Sequence, residues 1–475
     1  MNKGSATMRK GFIFGAGAIG RNVYCKLCLI YDIIGYVDNN ATLWGKTLNN
    51  IPITNPEEIL LHDCDVIICS DYHKDIREQL LSMGIENIRM VDPLGYFLYE
   101  YHPKKHMQPV DVPGFYQPYK KEKDTMHILF VQQHPCIRTH KIAEMIVEKG
   151  IDVSIAYTAE PPEYGQPSYA KLYKGSYGFF SANDIVDFVE KSDFDLIHCS
   201  NEPDSLTNLM LLTEKPVVHD THDWMSLNYA QGRDMLAMEY IAHKKSHGCI
   251  HVSEPSLELA KKIYHIAEEK AIVIETRPSE MAKPQKRLQK LSETDGELHC
   301  VYEGGIVAEK KHFRYMEDIW LQLAQAGVHV HFYTPYNPEY CKKVEQLHEN
   351  IHYEGRINST DLICEMTQYD CGLLLFHNVQ EFKIHLDMTL ANKLFEYLMA
   401  GLPVAVGDNE LHKQFVEKYH VGAFLKMDGD IRQQVEKIKE IDIEDDFLEK
   451  NHLTMKVQAD KLIAFYKKII KGYRE

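Results

Sequence analysis

Residues 391–406 read ANKLFEYLMAGLPVAV, a helical pattern that runs straight into a strand. At about 100° per residue, Ala391, Leu394, Phe395 and Leu398 share one side of the helix. Asn392, Lys393 and Glu396 gather on the other side. Thr389 is placed to cap its start, Gly401 to stop it, and Pro403–Val406 to form a buried strand. A helix start bearing Asn and Lys offers an anion a positive side chain and unsatisfied N–H groups together. Alone, the same residues also describe a solvated face with an i,i+3 Lys–Glu pair. The surrounding chain decides between the two.

Upstream, strands and helices alternate. Cys300–Tyr302 is a strand that ends in Glu303, Gly304 and Gly305, and Phe313–Ala326 is a helix. Strands Val328–Tyr333, Ile351–Tyr353 and Cys371–Phe376 alternate with helices Tyr340–His348 and Ser359–Gln368, which predicts a doubly wound parallel sheet. Gly304 and Gly305 let backbone approach a phosphate closely. Lys310, Lys311 and Arg314 follow as candidate diphosphate partners. Near the end, Gln458–Gly472 is amphipathic, with Leu462, Phe465 and Ile469 on one stripe.

The same alternation fills Met126 to Pro278, from the strand His127–Val131 to the strand Ala271–Ile274. Ligands of such sheets collect at the carboxyl ends of the strands. Three polar clusters fall there: Gln132, Gln133, His134 and Arg138; His219 to Asp223; Ser253 and Glu254. His222, His134 and Asp223 are the candidate catalytic residues, with a histidine as base or orienting group for an acceptor hydroxyl. Arg138 is a candidate substrate contact. The run HDTHDW also invites a metal, but two His and two Asp within one loop lack the spacing of a known structural site, and no metal is assigned. A structural loop is the other reading.

The first 95 residues form a smaller unit. Gly15-x-Gly17-x-x-Gly20 follows a short apolar strand and opens a helix, and a second strand, Ile33–Val37, ends in Asp38. This is the dinucleotide-binding fingerprint: Gly15, Gly17 and Gly20 for the turn and the close approach of a pyrophosphate, Asp38 for ribose hydroxyls. NAD or a nucleotide-sugar is the expected ligand, and an unliganded Rossmann-like unit is the alternative. No Tyr-x-x-x-Lys pair accompanies it. Between Phe97 and Asp124, prolines alternate with aromatics and a Lys-rich run, Lys120–Lys123, the composition of an extended linker able to touch anionic lipid or a partner. The charged segment Ser279–Gly296 reads as a second connection.

The totals set limits. With 475 residues, the chain has length for about three domains. A net charge of −16 argues against a general nucleic-acid binder. No apolar run is long enough to span a bilayer, and the amino terminus passes into the Gly-rich turn without a signal-peptide pattern. The odd number of cysteines, 11, sits mostly in apolar contexts, as reduced core thiols do. A cytoplasmic location follows, with contact at the inner face of the membrane as an option left by the basic run.

From Met126 to Glu475 the sequence resembles family-4-type glycosyltransferases (glycosyltransferase group 1) of the GT-B class. The likeness rests on NKLFEYLMAGLPVAV at Asn392–Val406, VYEGGI at Val301–Ile306 with Lys310 and Lys311, and YEGRI at Tyr353–Ile357. HDTHDW at His219–Trp224 and HGCIHVSEPSLELAKK at His247–Lys262 support it. It implies two doubly wound Rossmann-like domains in GT-B arrangement, preceded here by the small Rossmann-like domain. The expected division is 1–96, a linker 97–125, an acceptor domain 126–280 and a donor domain 297–475 that includes the C-terminal helix.

The resemblance also implies a nucleotide-diphosphate sugar donor and no cofactor for transfer. Glu396 would meet the donor ribose, and Lys311 with Lys310 or Arg314 the diphosphate. Backbone near Gly305 and the helix start at Asn392, next to Lys393, would complete that site. The acceptor would be a glycan, a lipid-linked saccharide or a protein in bacterial surface glycan or glycoconjugate synthesis. Retaining members of the family carry a second glutamate eight positions before the first. Here that position is Met388, which leaves the donor-side acid to a loop residue such as Glu381 or Asp387 and leaves retention against inversion open. The alternatives are a nucleotide-sugar oxidoreductase or epimerase centred on Gly15–Gly20, and a non-catalytic nucleotide-sugar-binding protein.

Overall fold

The computed structural model describes residues 8–91, 98–102, 106–109, 116–121, 125–158, 171–179, 182–228, 233–279, 284, 286–334 and 337–475. Pro103, Pro113, Glu122 and Lys123 of the expected linker, and the amino-terminal residues 1–7, lie outside them. The fold is α/β, with three sheets dominated by parallel pairing.

The first sheet has eight strands, with Arg9–Phe14 at its centre between Tyr31–Val37 and Asp65–Ile68. Those pairs are parallel, as is Asp65–Ile68 with Ile88–Val91. The sheet does not end there. Leu98–His102 and His106–Pro109, expected as linker, add two antiparallel strands at its edge. An edge strand tolerates proline because one of its rows of N–H groups has no ladder to complete, so proline content alone did not exclude it.

The middle sheet has seven strands and the third has six, all parallel. In the interior strands His127–Gln132 and Leu298–Glu303 the residues Ile128, Phe130, Cys300 and Val301 are completely buried. Runs of this kind leave only the strand ends for polar work.

The opening stretch folds as Asn392–Met399 followed by the strand Val404–Val406. Leu394, Phe395 and Leu398 are buried in the third module's core, and Gly401 ends the helix at φ +74°. The N-cap is Ala391 rather than Thr389. The Thr389 hydroxyl turns back to donate to the Leu386 carbonyl at 3.4 Å, while the Ala391 N–H is accepted by buried His412 Nε2 at 3.2 Å. Burial pushes the His412 imidazole down to about 3, so the ring stays neutral and keeps its acceptor nitrogen.

The last helix, Ala459–Arg474, leaves the third module and returns to the middle one. Leu462, Phe465, Tyr466 and Ile469 pack with Ile128, Phe130 and Ile142 in one cluster. The Tyr466 hydroxyl lies 2.6 Å from His198 Nδ1. Gly248 makes room beneath it: a Cβ there would stand 2.3 Å from Ile469 Cδ1 and 2.7 Å from Phe465 Cζ, and both side chains would have to shift. No helix among the described residues is long and apolar enough to cross a membrane. Phe465→Ala is expected to cost about 3 kcal/mol or more, as large-to-small changes in a close-packed core do, read as a lowered denaturant midpoint. An unchanged midpoint would mean that the helix is not part of the middle core.

Candidate active site

The carboxyl ends of the middle and third sheets face one another across a cleft of about 510 Å³. One wall carries Cys136, Arg138, Glu202, His222, Asp223 and Thr276, and the other Gly304, Gly305, Arg314, Asn392 and Lys393.

The middle wall is organised by Asp220, at the end of the strand Val217–Thr221 and fully buried. Arg138 Nε and Nη2 donate to its two oxygens at 3.0 and 2.7 Å, a bidentate pair. Arg138 Nη1 also donates to Thr276 Oγ1 at 2.8 Å. His198 Nε2 and His222 Nε2 each lie 3.2 Å from Asp220 Oδ2. Burial works against the carboxylate, but Arg138 and His222 outweigh it and hold its pKa well below the usual range.

His222 passes the chain outward, with Nδ1 3.5 Å from Cys136 Sγ. Burial opposes its protonation, yet Cys136 and Asp220 together raise its pKa to about 10. Of the two roles expected for a histidine here, base or orienting group, a cation at neutral pH fits the second, since it has no free lone pair to take a proton.

A carboxyl pair beside it has that capacity. Glu202, just past the strand Leu196–Ser200, is pushed up to about 7 by burial and then by Asp223. Its backbone sits at φ +71°, in the left-handed region that non-glycine residues rarely occupy. Asn201 fixes the neighbouring loop, accepting the His222 N–H at 2.9 Å and donating to the Asp223 carbonyl. The same rule that selected His222 and Asp223, a polar residue at the carboxyl end of a parallel strand, would have found Glu202.

On the third-module wall, Lys393 Nζ rests 3.9 Å from the centre of the Tyr302 ring and against Gly304, where a Cβ would come within 3.1 Å of it. Gly304 itself adopts φ +120°, so this turn is set by glycine. Glu303 hydrogen-bonds Glu396 and is pushed up to about 8, first by burial and then by the Glu396 charge. Lys141, buried on the middle-module helix Ile137–Val147, answers both carboxylates from across the boundary. Glu396 thus sits in a balanced cluster rather than on a solvated face.

Other expected residues are placed elsewhere. His134 is exposed on its loop and does not line the cleft. Lys310 and Lys311 are exposed too; Lys310 lies over the Tyr315 ring at 5.4 Å, and the Lys311 N–H is held by Glu309 at 3.2 Å. Only Arg314 of that basic group lines the cleft. Glu381 is exposed, and Asp387 pairs with Lys383 at 3.1 Å and accepts the Glu410 N–H at 3.1 Å. Neither lines the cleft.

Met388 has a different task. It is buried in the middle module's apolar cluster with Trp224, Cys249 and Leu257, and Ser253 Oγ donates to its carbonyl. A glutamate there would meet that cluster.

In the first module, a cavity of about 540 Å³ is lined by Gly15, Gly17, Asp38, Ser70 and Asp71. The three glycines divide. A Cβ on Gly20 would stand 2.0 Å from the Gly15 carbonyl oxygen, and one on Gly15 2.6 Å from that of Cys69, so both are demanded by packing. A Cβ on Gly17 would meet nothing within 4 Å. Asp38 already accepts the N–H groups of Ala16 and Asn40, both at 2.8 Å, bracing the two turns around the cavity.

Residues 137–276 match the family model of Glycosyltransferase Family 4, and residues 312–464 that of the Glucosyltransferase 3-like C-terminal domain. In structure the chain is similar to sucrose-phosphate synthase from Thermosynechococcus elongatus, with 11% identity and a TM-score of 0.56 over 73% of this chain and 100% of that one. It is also similar to a glycosyltransferase from Rickettsia africae, with 13% identity and a TM-score of 0.50 over 74% of this chain and 100% of that one. No curated protein matches the sequence. Two α/β domains facing across a cleft, each matching a glycosyltransferase family model over most of its length, give this chain the two-domain fold that it shares with these structures. Ahead of them, residues 7–91 match the C2185-like N-terminal model.

Met388→Glu, which restores the spacing of two glutamates, is expected to lower the melting temperature by several degrees. It buries a carboxylate among apolar side chains at a cost of about 1–3 kcal/mol or more. A gain in both stability and turnover would overturn this placement of residue 388.

Proposed function

We propose that the cleft transfers a sugar from a nucleotide-diphosphate sugar to a hydroxyl of a glycan, lipid-linked saccharide or protein, in the synthesis of a bacterial surface glycan or glycoconjugate. One observation carries the reading: Lys393, Arg314 and the Gly304–Gly305 turn face the Glu202–Asp223 carboxyl pair across the cleft. Negative charge grows on the departing diphosphate as the glycosidic bond breaks. Fixed cations, the glycine-turn backbone and the helix start at Asn392 would meet that charge without reorganising. Glu396, supported by Glu303, would receive the donor ribose hydroxyls. Glu202 and Asp223 would take the acceptor proton, and a carboxyl group titrating near neutrality is suited to that work. The His222 cation and Arg138 would hold this pair in place.

Lys393→Ala is expected to reduce nucleoside diphosphate release about 100-fold across a panel of UDP-, GDP- and dTDP-sugars. A base must be deprotonated to act, so wild-type kcat/KM should rise with pH as Glu202 ionises around pH 7. Glu202→Gln should lose that rise along with about 100-fold or more of the rate. Unchanged turnover in both variants would sink the assignment.

The open space at Gly17 favours a second ligand, a nucleotide such as NAD or a nucleotide-sugar, in the first-module cavity. No cation stands among the described residues that line it, so a diphosphate would rest on backbone N–H groups at the start of the helix Ala18–Leu27. Binding should raise the melting temperature with ligand excess. Gly17→Val should abolish that rise and leave the unliganded melting temperature unchanged. A rise that survives the substitution places the ligand elsewhere.

A further inference from the structure

Glycosyl transfer leaves one feature of the cleft unused. Cys136 caps the start of the helix Ile137–Val147 without donating or accepting a side-chain cap bond, so its sulfur sits where the helix favours negative charge. His222 Nδ1 lies 3.5 Å from the sulfur, with Asp220 behind the ring at 3.2 Å. Gln132 Nε2 donates to the sulfur at 3.4 Å, and the Thr139 hydroxyl lies 3.7 Å away. The residue is half-buried and lines the cleft. The other charged groups that face it are Glu202, which disfavours a thiolate, and Lys141, which favours one. A thiol flanked by an oriented histidine and a helix start is the arrangement of a nucleophilic cysteine. Seven of the remaining cysteines are buried, and burial raises the thiols of Cys64, Cys69, Cys199 and Cys249.

We propose that Cys136 is a covalent modification site that takes small anionic disulfides into the cleft by thiol–disulfide exchange. The Cys136 thiolate attacks one sulfur of the disulfide, forming a new S–S bond as the old one breaks. The departing sulfur leaves with the bonding electron pair as a thiolate, and the His222 imidazolium keeps its proton beside the new S–S bond. Arg314 and Lys393, on the opposite wall, supply the attraction for the anion.

The exchange is independent of the donor reading, and its test needs no sugar. The native chain is treated with 5,5′-dithiobis(2-nitrobenzoate), an anionic disulfide, and the released chromophore is followed from pH 5 to pH 9 with peptide mass mapping. Burial raises the Cys136 thiol, but the His222 charge and hydrogen bonds overcome this and bring it down to about 6. At pH 6 the larger thiolate fraction outweighs the lower intrinsic nucleophilicity, and a fast phase about tenfold above N-acetylcysteine is expected. That phase should map to Cys136, be erased in Cys136→Ser, and shift to higher pH in His222→Gln. The native chain alone decides if a variant fails to fold. A Cys136 no faster than N-acetylcysteine at pH 6, or a fast phase mapped to another cysteine, overturns the proposal.

Discussion

The buried Asp220 carboxylate is the point on which the middle module turns. It is fully excluded from water, and an unpaired charge in that position would cost several kcal/mol. Arg138, His198 and His222 converge on it, and each brings a different part of the chain. Arg138 ties in the first helix of the module and, through Thr276, the segment that leaves it. His198 ties in the neighbouring strand and, through the Tyr466 hydroxyl, the last helix of the protein. His222 carries the charge to the cleft. The ion network that stabilises the fold is therefore the one that sets the electrostatics of the site, and neither can be altered alone.

A second constraint joins the middle and third modules. Met388 fills an apolar cluster of the middle module, and Asp223 lies 3.6 Å from His385 of the third. Lys141 faces Glu303 and Glu396 from the opposite side. Apolar, polar and ionic contacts thus meet at one boundary, and the two walls of the cleft are held in register by groups that also line or flank it.

Periodicity made the architecture legible. Strands buried on both faces are continuous apolar runs, and the helices between them carry stripes, so both large sheets could be read before any contact was known. The stretch 391–406 was legible to within a turn, because Leu394, Phe395 and Leu398 obey the helical period and Gly401 stops it. What failed was governed by other forces. Leu98–Pro109 was hidden because edge strands carry little apolar signal. Of the expected cations, side-chain direction brings Arg314 and Lys393 to the cleft and leaves Lys310 and Lys311 outside it. His222 was legible as a residue at a strand's carboxyl end but not as a cation, since its charge depends on Asp220 and Cys136 together. The position of Glu202 past a parallel strand was legible, but its raised pKa was not, since it depends on burial and on Asp223. Met388 stood out as a missing acid, but its use as an apolar plug depends on a module more than 100 residues earlier in the chain.

The return of the final helix to the middle sheet also orders events in time. The middle core begins with the strand His127–Gln132 and is completed by Leu462 to Ile469. A chain emerging from the ribosome can assemble the third module from contiguous sequence, but the middle one must wait for the helix Ala459–Arg474. Until then the surface around Ile128 and Phe130 that the helix covers stays bare, and closing so long a loop costs chain entropy before its contacts form. The middle-module wall of the cleft is thus finished after the third-module wall, which can already be in place.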